Sequence, residues 1–456
     1  MHTRVTSFFI WKKIILHVDP SRIPFRQMPG VLRQATRAPG HGGWKATKAS
    51  EIVRVGTKQG GKLMKMHIRK LLPATAMLLA GSVAVQASDD LLSSLPDELK
   101  AEYENTTSMV EPVDLSNFTA PDGPYKWCHS ESYQGNPWRV ALTNEIKRLV
   151  DGLIEDGIVS SFEMSDSNGD VSLQISHIRS FIDKDCGIIT SVPGSATGLN
   201  AAVEAAAEAG IPFVTGAAAV TSPAAINVDS NYYKWGYDMA KNLAETLDGK
   251  GSVLMIEGIA GVSIVDQQRA GAQAAFEEYP EIKVVRMVNG DWTPSVTKSV
   301  VLQTLATNPG AIDGVWTTGS ETRVVADAFR QAGRPLPVVT GSVSGDALGF
   351  WKENPEDYVF TGGALLPSWI GQTMFRAASR IMDGQKPIAS TLMIPIPAVS
   401  SEDFDGWYGE CMKPDSAEIF PVAPTDPVPE SVMNAYFSGD TAAPGWDYSE
   451  VEPACK

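Results

Sequence analysis

Downstream of residue 122 the apolar positions alternate between two patterns. Short, nearly continuous apolar runs read as strands: Tyr125–Ser130, Gly157–Met164, Gly187–Val192, Ile211–Thr215 and Ile226–Val228. Between them lie segments with apolar residues three and four apart, such as Val140, Leu142, Ile146, Leu149 and Val150. That spacing puts one apolar stripe on a helix and predicts helices at Pro137–Gly152, Val171–Lys184 and Gly198–Ala209. The rhythm restarts at Tyr232. Helices at Tyr232–Leu247, Val265–Tyr279, Val296–Thr307 and Thr322–Gln331 alternate with strands at Ser252–Glu257, Lys283–Val288, Gly314–Thr317 and Pro337–Thr340. A helix at Pro367–Met382 and a strand at Leu392–Ile396 follow, before the chain turns rich in proline and acid.

Apolar strands joined by amphipathic helices build parallel sheets with crossover connections. The expected fold class is α/β, with two doubly wound parallel-sheet domains joined by a hinge. The first domain is expected at 123–228 plus 367–397 and the second at 229–366. Residues 88–122 read as an N-terminal extension and 398–456 as an irregular C-terminal tail. Ligands of such sheets sit at the carboxyl ends of the strands, so two sheets facing each other across a hinge enclose a cleft that can close.

The segment ahead of these domains bears on where the protein works. Met66-His67-Ile68-Arg69-Lys70 is a basic head, Leu71–Val85 is apolar, and Val85-Gln86-Ala87 places small residues at both positions a signal peptidase reads. Residues 66–87 read as a signal peptide, because the apolar run is shorter than the roughly 20 residues of a bilayer span. Residues 1–65 then read as an upstream extension, non-native or disordered. Charge agrees. Met1–Ala87 carries 15 Lys and Arg against 2 Asp and Glu, leaving 23 basic and 51 acidic residues, a net of −28, for the remainder. So acidic a chain argues against nucleic acid and anionic membrane surfaces as partners. No Cys follows the cleavage site, so the expectation is a freely diffusing periplasmic protein without a lipid anchor.

All four cysteines lie downstream of the leader, and export permits disulfides. Cys411 and Cys455 bracket the Pro-rich tail, and their pairing is expected to staple it. Cys128 and Cys186 lie in or beside strands, and either a second bridge or two buried thiols fits there.

The first strand runs into a polar loop, Ser130-Glu131-Ser132-Tyr133-Gln134-Gly135-Asn136-Pro137-Trp138-Arg139. Asn136 and Pro137 suit the cap and first turn of a helix. Trp138 and Arg139 at the mouth of a cleft suit a sugar: an indole face stacks on ring carbons, and a guanidinium donates to hydroxyls. Gly258–Ser263 lacks the third Gly and the Lys of a nucleotide loop, and Asp166–Asp170 lacks the remainder of a calcium loop. Downstream of the leader only His129 and His177 are histidines, and neither a Gly-x-Ser-x-Gly elbow nor an HExxH motif is present. Neither a cofactor nor a metal is expected, and the protein is not expected to be an enzyme.

Several of these segments, taken in order, resemble the ribose-type periplasmic sugar-binding proteins of the periplasmic binding protein-like I fold. They are Ser130…Gly135-Asn136-Pro137-Trp138, Gln174…Ile178-Arg179…Cys186-Gly187-Ile188-Ile189, Ala207-Glu208-Ala209-Gly210-Ile211-Pro212-Phe213, Gly258-Ile259-Ala260-Gly261…Arg269-Ala270-Gly271 and Leu366-Pro367…Ile370-Gly371. The resemblance covers roughly Gly123–Pro397. It implies a protein that captures a small ligand and hands it to an ABC importer. It also implies a binding set with Asn136 and Trp138 from the first loop and Trp292 stacking on the ligand. The chain departs from the family at its charged positions. These fall at Ala217-Ala218, near Gly319-Ser320, near Ser342 or Val343, at Leu365 and near Asp266 or Gln267. Glu131 and Glu321 can compensate as acceptors, and Arg139 and Arg323 as donors.

The expected ligand-binding set is therefore Ser130, Glu131, Tyr133, Asn136, Trp138, Arg139, Trp292, Gly319, Glu321 and Ser342. The expected function is that of a periplasmic solute-binding component of an ABC transporter. Its expected partners are a small sugar-like ligand and the permease membrane subunits, and it is expected to be a monomer. A periplasmic sensor for a chemoreceptor or kinase has the same fold, and an exported α/β hydrolase is the rival of another class. Identity of the ligand is left open.

Overall fold

The computed structural model describes residues 91–438, 446–448, 451 and 455. The leader at 66–87 and residues 1–65 lie outside the described residues. The order of elements is α1 (Asp97–Ala101), β1 (Tyr125–Glu131), α2 (Pro137–Glu155), β2 (Val159–Asp166), α3 (Val171–Asp183), β3 (Ile188–Val192), α4 (Asn200–Glu208), β4 (Phe213–Gly216) and β5 (Ala225–Asp229). The second run is α5 (Tyr232–Thr246), β6 (Lys250–Glu257), α6 (Ser263–Glu277), β7 (Glu281–Asn289), α7 (Pro294–Thr307), β8 (Gly314–Thr317), α8 (Thr322–Gln331), β9 (Val338–Val339) and α9 (Gly345–Glu353). Then come α10 (Pro367–Met382), β10 (Lys386–Pro387), β11 (Thr391–Met393), α11 (Phe404–Trp407), α12 (Glu430–Tyr436) and β12 (Phe437–Ser438).

Two parallel sheets result. One has the strand order β11-β5-β4-β3-β1-β2 and the other β7-β6-β8-β9. In the first, Trp127 of β1 sits beside Phe162 of β2 and Ile188 of β3. From Trp127 to Glu131 every residue of β1 is buried, as in a strand covered on both faces. In the second, β6 lies between β7 and β8. Isolated bridges Val339↔Phe360 and Ser342↔Gly363 carry that sheet towards the crossings between the two lobes. The chain crosses three times. It leaves the first sheet after Asp229, returns at Leu366-Pro367, and leaves again after Met393, where Gly363 pairs with Ala398.

Helices α5 and α6 approach closely because two glycines meet across them. A β-carbon on Gly236 would come within 2.1 Å of the Gln268 carbonyl oxygen, and one on Gly271 within 2.0 Å of that of Tyr233. This contact fixes the start of α5, and hence Tyr232 and Trp235, against α6.

The tail departs from the irregular expectation. Gly345 N–H donates to the Ile419 carbonyl at 2.7 Å, which seats the tail on α9 of the second lobe. Farther on, α12 and β12 pack on the first lobe, with β12 antiparallel to β10. Arg376 and Arg380 of α10 reach Glu430 at 2.8 and 2.5 Å. Buried guanidiniums need such partners, and the tail supplies them. Cys411 is bonded to Cys455, and Cys128 of β1 to Cys186. The N-terminal extension is also tied down: Tyr103 Oη donates to the Thr391 carbonyl at 2.7 Å, and Ser108 Oγ to Asp229 Oδ2 at 2.6 Å. Among the described residues no helix is long and apolar enough to cross a membrane.

Candidate ligand-binding site

Between the strand ends of the two sheets lies a cavity whose empty volume, open solvent included, is about 560 Å³. Its walls come from both lobes and from a crossing. Asn136, Trp138, Arg139 and Ala217 enter from the first lobe, Gln268, Trp292 and Glu321 from the second, and Leu365 from the second crossing.

The first-lobe wall is built by the loop after β1. Asn136 Oδ1 accepts from Arg139 N–H at 2.9 Å and Pro137 opens α2, so cap and proline start the helix at the cavity. Trp138 and Arg139 therefore stand on the first helical turn. Trp138 Nε1 donates to the Leu365 carbonyl at 2.8 Å, which satisfies the indole and leaves its carbon surface to the cavity. Arg139 Nη1 donates to Glu131 Oε1 at 3.0 Å.

The second-lobe wall rests on a hydrogen-bonded chain. Trp292 Nε1 donates to Thr318 Oγ1 at 3.4 Å, and that hydroxyl donates to Gln268 Oε1 at 3.0 Å. Trp292 has φ 49° and Asp291 φ 55°, the left-handed region that bulky residues avoid. Such a conformation costs on the order of 1–3 kcal/mol and persists where surroundings enforce it, commonly at ligand sites. Gly258 allows it: a β-carbon there would come within 2.1 Å of the Trp292 ring. Gly319 does the same for its neighbours, since a β-carbon would meet Glu321 Oε2 at 1.8 Å and Trp292 Cδ1 at 3.0 Å.

Electrostatics separate the two lobes. In the first, the Arg139 guanidinium faces the buried Glu131 carboxylate, so this pair is neutral overall. In the second, burial pushes the Glu321 carboxyl up to about 7; its own backbone N–H opposes this, and the nearby Asp346 carboxylate adds to it. Among the described residues no group of three or more His, Cys, Asp or Glu is arranged to hold a metal.

Of the residues expected from sequence, Asn136, Trp138, Arg139, Trp292, Gly319, Glu321 and Ser342 line the cavity. Ser130, Glu131 and Tyr133 do not. Ser130 lies wholly buried near the end of β1, where its carbonyl accepts from Ser191 Oγ at 2.9 Å. Glu131 is 0% exposed and ends β1, so it acts on Arg139 and cannot reach a ligand. Tyr133 folds its ring over Gly135, where a β-carbon would lie 1.9 Å from its Oη. Arg323 also turns away, pairing with Asp327 and stacking on Phe350.

The profile of the periplasmic binding protein domain matches residues 130–386, more than half of the chain. The chain belongs to the periplasmic binding proteins. Relatives agree. A xylitol-binding protein of Mycolicibacterium smegmatis is 25% identical over 52% of this chain and 68% of that protein. A ribose import binding protein of Bacillus subtilis is 24% identical over 51% and 74%. A galactofuranose-binding protein of Escherichia coli is 26% identical over 56% and 81%. The fold matches an ABC transporter solute binding protein from Thermobispora bispora, with a TM-score of 0.62 at 23% identity, covering 70% of this chain and 99% of that one.

Five cavity residues of this periplasmic binding protein, Thr318 among them, escaped the sequence reading. Tyr232 and Trp235 open α5 just after the first crossing, three residues apart and so on one face. Ile264 and Gln268, four apart on α6, form the other such pair. The aromatic cluster Tyr232-Tyr233-Lys234-Trp235 beside a strand end was a signal for the first pair. Gln268 lies one residue from the expected 266–267, displaced by a single helical position.

Proposed function

We propose that the chain is the solute-binding component of an ABC importer, which captures a small sugar-like compound by hinge closure and delivers it to the permease. The observation that carries this reading is the cavity itself, walled by Trp138 and Trp292 from opposite lobes and crossed at one side by Leu365. Neutral polar ligands with apolar faces suit such walls, because indoles cover ring carbons while Arg139, Gln268 and Glu321 meet hydroxyls. The named relatives bind a polyol or sugars, which supports the same ligand class.

In the mechanism, the open form admits ligand and contact with both walls shifts the population to the closed form. The permease then reads the surfaces flanking the closed cleft. The protein acts as a monomer in the periplasm, exported by the segment at 66–87.

A thermal-shift screen of sugars and polyols, followed by calorimetry, tests ligand class. Uptake of the labelled hit by cells lacking the gene tests the carrier role: restored uptake on complementation supports it. A lost transcriptional or chemotactic response with normal uptake instead marks a sensor.

A further inference from the structure

Among the described residues, Arg139 and Glu321 are the acidic and basic side chains that line the cavity, and they differ in one respect. Arg139 has its counter-charge in Glu131 at 3.0 Å. Glu321 has none. It is 6% exposed, and among the described residues no cation lies within ion-pair reach of it. Arg323, two residues along the chain, is engaged elsewhere: it pairs with Asp327 and lies over the Phe350 ring at 4.3 Å. Asp346, whose field also reaches Glu321, is of the same sign and is held by Ser344 Oγ at 2.6 Å. The second-lobe wall thus presents to the cavity a buried carboxyl that has no cation partner.

The surroundings of that carboxylate are aromatic. Glu321 Oε2 and Trp292 Cδ1 flank Gly319, at 1.8 and 3.0 Å from where its β-carbon would be. Trp138, Trp235 and Tyr232 complete the apolar lining. Indole faces attract cations through the ring quadrupole, most strongly where water is excluded. A neutral hydroxyl pair can meet the carboxyl, but closure over it then either buries a net charge or requires the group to take up a proton. An ammonium removes that charge.

The geometry points to a ligand with one positive charge, an amino-substituted sugar or polyol, whose ammonium pairs with Glu321 while its carbon skeleton lies between the indoles. This assignment rests on the carrier reading of the same cavity and narrows its ligand. Arg139, already paired with Glu131, remains available on the first-lobe wall to meet hydroxyls.

The test is calorimetry on the full chain at neutral pH with four amines, D-glucosamine, D-galactosamine, D-mannosamine and 1-amino-1-deoxy-D-glucitol. Each is compared with its hydroxyl parent, D-glucose, D-galactose, D-mannose or D-glucitol. At least one amine is expected to bind more tightly than its parent by a factor of about ten or more. Glu321→Gln keeps the shape and removes the charge, so that ratio should shrink to about two-fold while the circular dichroism spectrum stays unchanged. Parents that bind as tightly as the amines, or a preference that survives Glu321→Gln, overturn the inference. If no amine binds but a neutral sugar or polyol does, the inference falls and the carrier reading stands. If nothing in these sets or in the wider screen binds, both fall.

Discussion

The indole Nε1 of Trp138 donates to the carbonyl oxygen of Leu365 at 2.8 Å, joining the first turn of α2 to the second crossing between the lobes. The bond places a ligand-facing ring on the segment that closure must move. Trp138→Phe keeps an aromatic face and removes this donor. The Leu365 carbonyl still accepts from Ser342 Oγ at 3.2 Å. The expected outcome is therefore a modest loss of stability, about 1 kcal/mol by urea denaturation, with ligand affinity reduced less than in Trp138→Ala.

Arg139 and Glu131 form the most exacting pair in the site. Glu131 is 0% exposed, and its second oxygen lies 3.6 Å from His129 Nε2. Arg139→Ala strands that carboxylate and should cost about 3–5 kcal/mol, measured by chemical denaturation. Adding Glu131→Gln to Arg139→Ala should recover part of the loss. A double variant no more stable than Arg139→Ala would show that the pair is not what holds this loop.

Glu321 gives the free protein a pH signature. Its carboxyl rises from 4.5 to about 7 on folding. An acid with a raised folded pKa binds its proton better when folded, so its ionisation works against the fold. The penalty is absent below the unfolded value and complete above the folded one. Stability of the free protein should thus decline between about pH 5 and about pH 8 by on the order of 3 kcal/mol through this residue. Glu321→Gln should flatten that decline in denaturation curves measured across the same range. Parallel curves for the two proteins would contradict it.

The Cys411–Cys455 bridge closes a loop with a sequence separation of 44. Constraining the unfolded chain over such a loop contributes about 4 kcal/mol. The double substitution Cys411→Ser/Cys455→Ser should lower the thermal midpoint. Ligand affinity should stay unchanged, because neither residue lines the cavity.

The sheets were legible because strands such as Ile188–Val192 are buried throughout and the helices between them are amphipathic. Helix α9 was not: all seven residues from Gly345 to Trp351 are buried beneath the tail, which leaves no polar face to give it a period. The tail's order was hidden for a related reason. It comes from buried partners far away in sequence, Arg376 and Arg380, and not from any local pattern. At the site, Trp138 was readable from position and residue type, and Trp292 through the resemblance to the sugar-binding family. Glu131 was misread because an acid next to a polar loop resembles a loop residue, whereas it is the last residue of a buried strand. Tyr232 and Trp235 did not stand out, since their spacing fits helix packing as well as it fits a cavity wall.

The central claim is that a ligand is held between Trp138 and Trp292. Isothermal calorimetry of the best compound from the screen, on the parent chain and on Trp138→Ala/Trp292→Ala, tests it most directly. The double variant should keep its circular dichroism spectrum and lose measurable binding. A folded double variant with unchanged affinity would place the ligand elsewhere and contradict it.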